Sequence, residues 1–420
     1  MPATIAPKPA GLGIYYFPDD LHYRHKDFET WLPEIQAMNL GWITLRGSVR
    51  RAVPEPFVRA LVQAGLQPIL HLPEAPIRPL ADEVAPLLQA YAQWGVHYVA
   101  VFAPPNLQSS WTPGDWQRGS PVELFLDAFI PTAKLMVQAG LAPVFPALHS
   151  GGDYWDLAFL EAALAALVVR GEEDLLAGLT FAVEAWTFNR PAAWGAGGVA
   201  RWPNVRPYLT PPDSQDHRGF GMIDWVQESI TRHAGQPRPV LMLRGGAALG
   251  ENLDANFPAV DEKRHLDLNS EIARMVIDRR ATESLLNVAF WLLSAEAGSP
   301  EAAQAWFRAD GTTLPIVTAL KRLGERARVR QSEAAQGKVF AHYLLVPGGL
   351  TALSGAAWQV LQDYLRTVRP TIGDSIEEAV RAERVTLFAE SAPAPVMQTL
   401  RSAGCVVDHV RPVPMERSQA

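Results

Sequence analysis

The chain has 420 residues, of which 48% are hydrophobic and 19% charged, as in an ordinary folded globular protein. Its net charge of -7 is spread along the chain without long runs, which argues against a nucleic-acid partner. No stretch approaches the roughly 20 apolar residues of a membrane span, and a single cysteine, Cys405, excludes an internal disulfide. Residues 1–11 lack the charged-then-apolar pattern of a signal peptide, so we expect a cytoplasmic protein.

Short apolar runs alternate with amphipathic stretches of helical periodicity over most of the chain. The predicted strands cover residues 13–17, 42–45, 68–72, 98–102, 143–148, 179–186, 240–243 and 286–293. The predicted helices cover residues 28–38, 56–64, 82–94, 122–139, about 153–170, 222–233 and 268–280. Eight strands, each followed by helical sequence, predict a (β/α)8 TIM barrel over residues 11–323. An open doubly wound sheet is the alternative, but no glycine-rich phosphate loop follows the first strand.

The pattern changes after about residue 324. Residues 324–337 are polar and are predicted to be a linker or a helix end, and residues 413–420 a frayed tail. Between them, three predicted strands (339–346, 384–389 and 405–410) alternate with helical stretches at 357–367 and 391–403. We expect a small C-terminal α/β domain at residues 338–412 that packs against the barrel or binds a protein partner.

The chemistry of a (β/α)8 barrel lies at the carboxyl ends of its strands, so we read the residues that follow each predicted strand. These positions are rich in donors, acceptors and aromatic rings, and 13 tryptophans are many for this length. Two long loops, at residues 189–221 and 245–266, should lie at the same end. The candidate ligand-binding residues are Arg46, His71, Asn106, Trp111, His149, Glu184, Trp186, Arg244 and Trp291.

Residues 11–323 resemble the clan A glycoside hydrolases. The resemblance depends on Pro105-Asn106-Leu107 followed by Trp111, on the pair Gly245-Gly246 after the seventh strand, and on Phe290-Trp291 in the eighth. It implies that Trp291 forms the floor of a sugar subsite and that Arg46 matches the arginine that supports the nucleophile. In this family an acid/base glutamate follows the fourth strand and a nucleophile glutamate the seventh.

The resemblance fails at both catalytic positions, where this chain has Pro104 and Arg244. A retaining glycosidase needs two carboxyl groups about 5–5.5 Å apart. Proline has no titratable group, and arginine stays protonated. The Arg244 cation would disfavour an oxocarbenium-like transition state but favour an anionic ligand, such as a uronic acid or a phosphorylated sugar.

Two functions therefore compete. The first is a degenerate glycosidase that binds a carbohydrate, acidic or not, or another small polar ligand, or serves as a structural component. The second is an active glycan hydrolase with relocated carboxylates, for which Glu184, Glu74 and Asp153 are the candidates. Each candidate also has a structural interpretation: Glu184 as the ion-pair partner of Arg244, Glu74 as a surface-loop residue, and Asp153 as a helix N-cap.

The sequence contains no pattern that predicts a cofactor or a metal site. The histidines have no known ligand spacing. Three acidic residues of the loop after the seventh strand, Glu251, Asp254 and Asp261, lack the spacing of a calcium loop.

Overall fold

The computed structural model describes residues 11–278, 280, 282–336, 338–347, 349–350, 353 and 355–411; the side chains of 327–336, 356 and 363 are not described. The predicted tail at 413–420, residue 412 of the predicted C-terminal domain and almost all of the N-terminal segment read for a signal peptide lie outside these residues. The chain divides into two compact units, with the boundary between Leu323 and Gly324.

The first unit is a closed barrel of eight parallel strands in the order β1 to β8, which confirms the predicted fold. The strands are β1 (Gly11–Tyr15), β2 (Trp42–Arg46), β3 (Gln67–Leu72), β4 (Tyr98–Val101), β5 (Ala142–Phe145), β6 (Thr180–Trp186), β7 (Val240–Gly246) and β8 (Leu285–Phe290). The helices are α1 (His25–Ala37), α2 (Glu55–Gln63), α3 (Ala81–Gln93), α4 (Asp115–Arg118), α5 (Pro121–Ala139), α6 (Asp156–Val169), α7 (Glu173–Gly178), α8 (Gly198–Arg201), α9 (Met222–Ala234), α10 (Glu262–Ile277) and α11 (Pro315–Gln336).

The strands are mainly apolar, as expected when both of their faces are covered, and polar side chains such as His71, Glu184 and Arg244 lie toward their carboxyl ends. On β3, Ile69 packs with other strand residues in a small inner cluster, whereas Leu70 joins the large core that the helices share. Both side chains have no exposed surface. The barrel is therefore filled by side chains, and a ligand can enter only beyond the strand ends.

Two local predictions for the barrel need correction. Asp153 does not cap a helix, since α6 begins at Asp156 with Trp155 at its N-cap. Helix α10 begins at Glu262, six residues before the predicted start, because the side chain of Asp261 accepts a hydrogen bond from the Arg264 backbone N–H. The interval predicted as a linker or a helix end is helical through Gln336, as the end of α11, in agreement with the second of these alternatives.

The second unit contains a parallel sheet in the order β10-β9-β11-β12. Its elements are β9 (Phe340–Leu345), α12 (Gly355–Val368), β10 (Thr371–Gly373), α13 (Ile376–Ala379), β11 (Ala382–Phe388), α14 (Ala394–Ser402) and β12 (Val406–Val410). The sheet confirms the predicted small α/β domain. The sequence did not reveal β10, which has only three residues and no apolar run, nor the single turn α13.

Candidate functional site

A cavity of about 550 Å³ lies at the carboxyl ends of the barrel strands. We call it the main cavity. Strands β3, β6 and β7 contribute His71, Glu184 and Arg244, and the loops after β4 and β5 contribute Pro104 and His149. The loop at residues 189–221 does not line it, so the long loop does not fill the space.

Strand pairing places Glu184 directly beside Arg244. The register between β6 and β7 shifts at Val183, so that Glu184 pairs with Arg244. Consecutive side chains of a regular strand point to opposite faces, yet Leu243 and Arg244 both line the main cavity, as expected where such an irregularity redirects a side chain.

The predicted ion pair between these two residues is present. Arg244 Nε lies 2.9 Å from Glu184 Oε1, but Nε makes no aligned hydrogen bond, so the contact is an ion pair rather than a directed bond. Glu184 is the more buried partner, with 11% of its side chain exposed against 28% for Arg244. Burial opposes the charged form of Arg244, but the Glu184 carboxylate raises its pKa above the usual range.

An aromatic floor supports the guanidinium. The Arg244 guanidinium carbon lies 5.0 Å from the centre of the Trp291 ring, a cation–π distance. Trp291 packs in turn against Tyr15, with ring centres 4.9 Å apart, and against Trp186 at 6.2 Å. Trp186 does not line the main cavity but a neighbouring one. Trp291 was predicted to form the floor of a sugar subsite, but it does not line the main cavity and instead packs against Arg244.

His71 is a neutral, buried member of the cavity wall. Its Nδ1 shares a hydrogen bond of 3.2 Å with the Tyr15 hydroxyl. Burial, Arg244 and Arg46 together hold the pKa of His71 well below its usual value, and burial raises the pKa of Tyr15 to about 12. Both groups are therefore uncharged at neutral pH and offer hydrogen bonds rather than charge.

Glu74 forms an ion pair with Arg46, a predicted ligand-binding residue that does not itself line the main cavity. Its carboxylate contacts Arg46 Nη2, and 77% of its side chain is exposed although it also lines the main cavity. Among the described residues, the carboxylates that line the main cavity are Glu74 and Glu184. Each contacts an arginine.

The loops after β4 and β5 are joined by Asn106. Its buried amide donates to the backbone carbonyls of His149 and Tyr154 at 2.8 and 3.0 Å, and accepts from the His149 N–H at 2.9 Å. Asn106 therefore holds His149 at the cavity rim and does not line the cavity itself. Asp153 also joins these two loops, because its carboxylate accepts a hydrogen bond from the Gln108 N–H at 2.7 Å.

The sequence patterns missed the environment of Glu251. Glu251 and Glu184 both line a smaller cavity of about 250 Å³, together with Trp186, which we call the Glu251 cavity. Burial raises the pKa of Glu251, although its carboxylate accepts hydrogen bonds from the Asn189 N–H and the Thr187 hydroxyl. Only the fold brings a loop residue after β7 beside a residue of β6, so no spacing in the sequence could reveal this pair.

Within the described ranges, no group of three or more His, Cys, Asp or Glu side chains could hold a metal ion. Across the same residues, no helix has both the length and the apolarity required to cross a membrane.

No protein-family model matches the chain, and no curated protein sequence matches it. Solved structures similar to it include a family 39 glycoside hydrolase from Bacteroides cellulosilyticus, with 13% identity over 76% of this chain and 64% of that one and a TM-score of 0.48. A β-xylosidase from Caulobacter crescentus has 14% identity over 76% of this chain and 68% of that one, with a TM-score of 0.47. For a β-glucuronidase from Lactobacillus rhamnosus, the identity is 11% over 76% of this chain and only 50% of that one, with a TM-score of 0.45.

These solved structures are glycoside hydrolases, and the chain spans about half to two thirds of their length. Because the identities and TM-scores are low, the assignment of this chain to the class of closed (β/α)8 barrels depends on its own strand pairing.

Proposed function

We propose that this protein binds a carbohydrate in the main cavity and does not hydrolyse it. The observation that carries the proposal is the ion pair of Glu184 with Arg244 at the carboxyl ends of β6 and β7. An acid/base or nucleophilic carboxylate must be free to exchange a proton or attack a carbon. The carboxylates lining the main cavity instead contact arginines.

The polar groups of the cavity suit hydroxyl-rich ligands. Arg244 contacts Glu184 through Nε, and no side-chain hydrogen bond to a described residue occupies its two terminal nitrogens, so these can donate to a ligand. Glu184 is an acceptor beside it, and His71 adds an uncharged polar group. Trp111 also lines the main cavity, and an indole beside neighbouring donors and acceptors matches the flat apolar face and alternating polar groups of a sugar.

An acidic sugar is the finer form of this proposal. A guanidinium binds a carboxylate or phosphate through two parallel hydrogen bonds, and Arg244 has the free nitrogens for it. Glu184 works against such a ligand through like-charge repulsion. Glu184→Gln should therefore strengthen the binding of a uronic acid oligomer and leave a neutral one unchanged or weaker.

The experiment is calorimetric titration with neutral and uronic acid oligosaccharides, beside a product-release assay at high protein concentration. We expect heat of binding without product, and loss of binding in Arg244→Met. Lys263→Met is the matched control, because Lys263 is an exposed cation (83%) that does not line the cavity. Equal binding by Arg244→Met and the control would contradict the proposal.

Hydrolysis is the second candidate, and one observation favours it. Glu184 and Glu251 line the same small cavity, and their environments differ: Arg244 pairs with Glu184, whereas burial raises the pKa of Glu251. Two carboxyl groups in different environments that line one cavity suit an acid and a base. Turnover abolished by both Glu184→Gln and Glu251→Gln would establish this candidate and reject non-hydrolytic binding.

A further inference from the structure

A second cavity of about 510 Å³ borders the main cavity. We call it the tryptophan cavity, because Trp111 and Trp116 line it. Ser109, Trp111 and Thr112 line both cavities, so the two spaces meet along the segment that follows β4. Each lies within the range of about 300–1,000 Å³ that is usual for small-molecule sites.

The two indoles are held in fixed positions. Trp111 donates from Nε1 to the Pro105 carbonyl oxygen at 2.9 Å and is 8% exposed. Trp116 lies on the short helix α4 with its ring centre 6.0 Å from that of Trp111, at an interplanar angle of 66°. Trp116 is only partly buried, so an apolar ring surface is presented to the cavity without the cost of ordering a flexible side chain.

The remaining wall is polar but almost uncharged. Gln108 and Gln117 are exposed amides that line the cavity. Asp153 is the one charged side chain among the described lining residues, and one of its carboxylate oxygens already accepts from the Gln108 N–H. The main cavity, in contrast, contains the Arg244 cation and the Glu184 anion.

We propose that the tryptophan cavity is a second binding subsite for neutral units of the same carbohydrate chain, so that the natural ligand is an oligosaccharide rather than a single sugar. The continuity at Trp111 supports one ligand that extends across both cavities, and amides beside an indole are suited to uncharged sugar rings. This inference rests on the proposed binding of carbohydrate in the main cavity, and it adds the length of the ligand and the place of its extension.

The test is a series of linear oligosaccharides of one to six units, neutral and with one terminal uronic acid, titrated into the full-length protein. For the wild-type protein we expect affinity to rise by about tenfold or more once the chain is long enough to reach Trp116. Trp116→Ala should remove that rise and leave the affinity of the shortest ligand that binds the wild-type protein unchanged. Trp358→Ala is the control, since Trp358 is an exposed indole (38%) of the second unit that lines neither cavity.

Trp116 packs partly against the core, so a second variant protects the test from misfolding. Gln117→Ala changes an exposed amide of the same cavity and should reduce the gain with length by about threefold or more. An affinity that does not depend on length in the wild-type protein, with short ligands bound, overturns this inference and leaves the proposed function intact. Absence of binding at every length overturns both.

Discussion

The ion pair between Arg244 and Glu184 permits a quantitative prediction about stability. Arg244→Met keeps an apolar stem over Trp291 but leaves the Glu184 carboxylate, which is 11% exposed, without its cation. Breaking a fully buried pair from one side costs about 3–5 kcal/mol. Because 28% of the Arg244 side chain is exposed and water reaches the pair, we expect Arg244→Met to lower the free energy of unfolding by about 2–3 kcal/mol.

Removing the other partner should cost less. Glu184→Gln leaves a cation that is more exposed and still rests on Trp291, so we expect a loss of about 1–2 kcal/mol. The double variant contains no isolated charge. The decrease in its free energy of unfolding should be smaller than the sum of the decreases in the two single variants by about 1–2 kcal/mol, because residues in direct contact do not act additively.

The assay is urea-induced unfolding of the wild type, both single variants and the double variant, with separate transitions fitted for the two units if they do not unfold together. Arg46→Met is the matched control, because its partner Glu74 is 77% exposed and a surface pair contributes only about 0–1 kcal/mol. If Arg244→Met costs no more than Arg46→Met, or if the losses add within about 0.3 kcal/mol, the buried-pair argument is wrong.

Three further predictions concern the backbone of β7, the rim of the main cavity and the long loop at residues 189–221. Gly245→Ala should lower the free energy of unfolding by at least about 3 kcal/mol, because its φ of 157° is strained for other residues and the new Cβ would lie 2.1 Å from the Ala185 carbonyl oxygen. Gly250→Ala is the control, since Gly250 has a φ of 77° but open space around it. It should lower the free energy of unfolding by about 1 kcal/mol in the same urea assay. Asn106→Ala removes three hydrogen bonds between the Asn106 side chain and the backbone of residues 149 and 154, so it should lower the free energy of unfolding by about 2–4 kcal/mol. The backbone amides at residues 149–154 should then exchange their hydrogens faster than in the wild type. Unchanged exchange would refute this role of Asn106. Burial alone would raise the pKa of Asp216, but two arginines lower it from 3.8 to about 2, so its contribution to stability is present above the unfolded-state value and is lost as the pH falls through about 2. Acid titration of Asp216→Asn should therefore show a shallower loss of stability below pH 4 than the wild type, and identical slopes would contradict the assignment.

The barrel could be predicted because its strands are buried on both faces. Runs such as Pro68-Ile69-Leu70 are apolar at consecutive positions, which is typical of parallel strands under helices. Elements without such a signal were missed or displaced. β10 has three residues that are largely exposed, and α6 begins after Trp155 rather than at Asp153 because the Asp153 carboxylate is used by the backbone of another loop.

The candidate site could be predicted only in part. Positions at strand ends follow from the order of the strands, and the adjacency of Glu184 and Arg244 follows from β6 being next to β7. The contact partners of loop residues do not follow from the order of the strands. Asn106 was expected to contact a ligand, yet its amide is hydrogen-bonded to the loop after β5. Glu251 lines the same cavity as Glu184 because of the path of a loop that no periodicity indicates.

The central claim is that the main cavity binds a carbohydrate without cleaving it. The most direct measurement follows one sample of protein and oligosaccharide by calorimetry and, over long incubation, by product analysis. Saturable binding that is lost in Arg244→Met, with no product in the wild type, is the predicted result. Product that accumulates in the wild type and disappears in Glu184→Gln would contradict the claim and make Glu184 a catalytic residue.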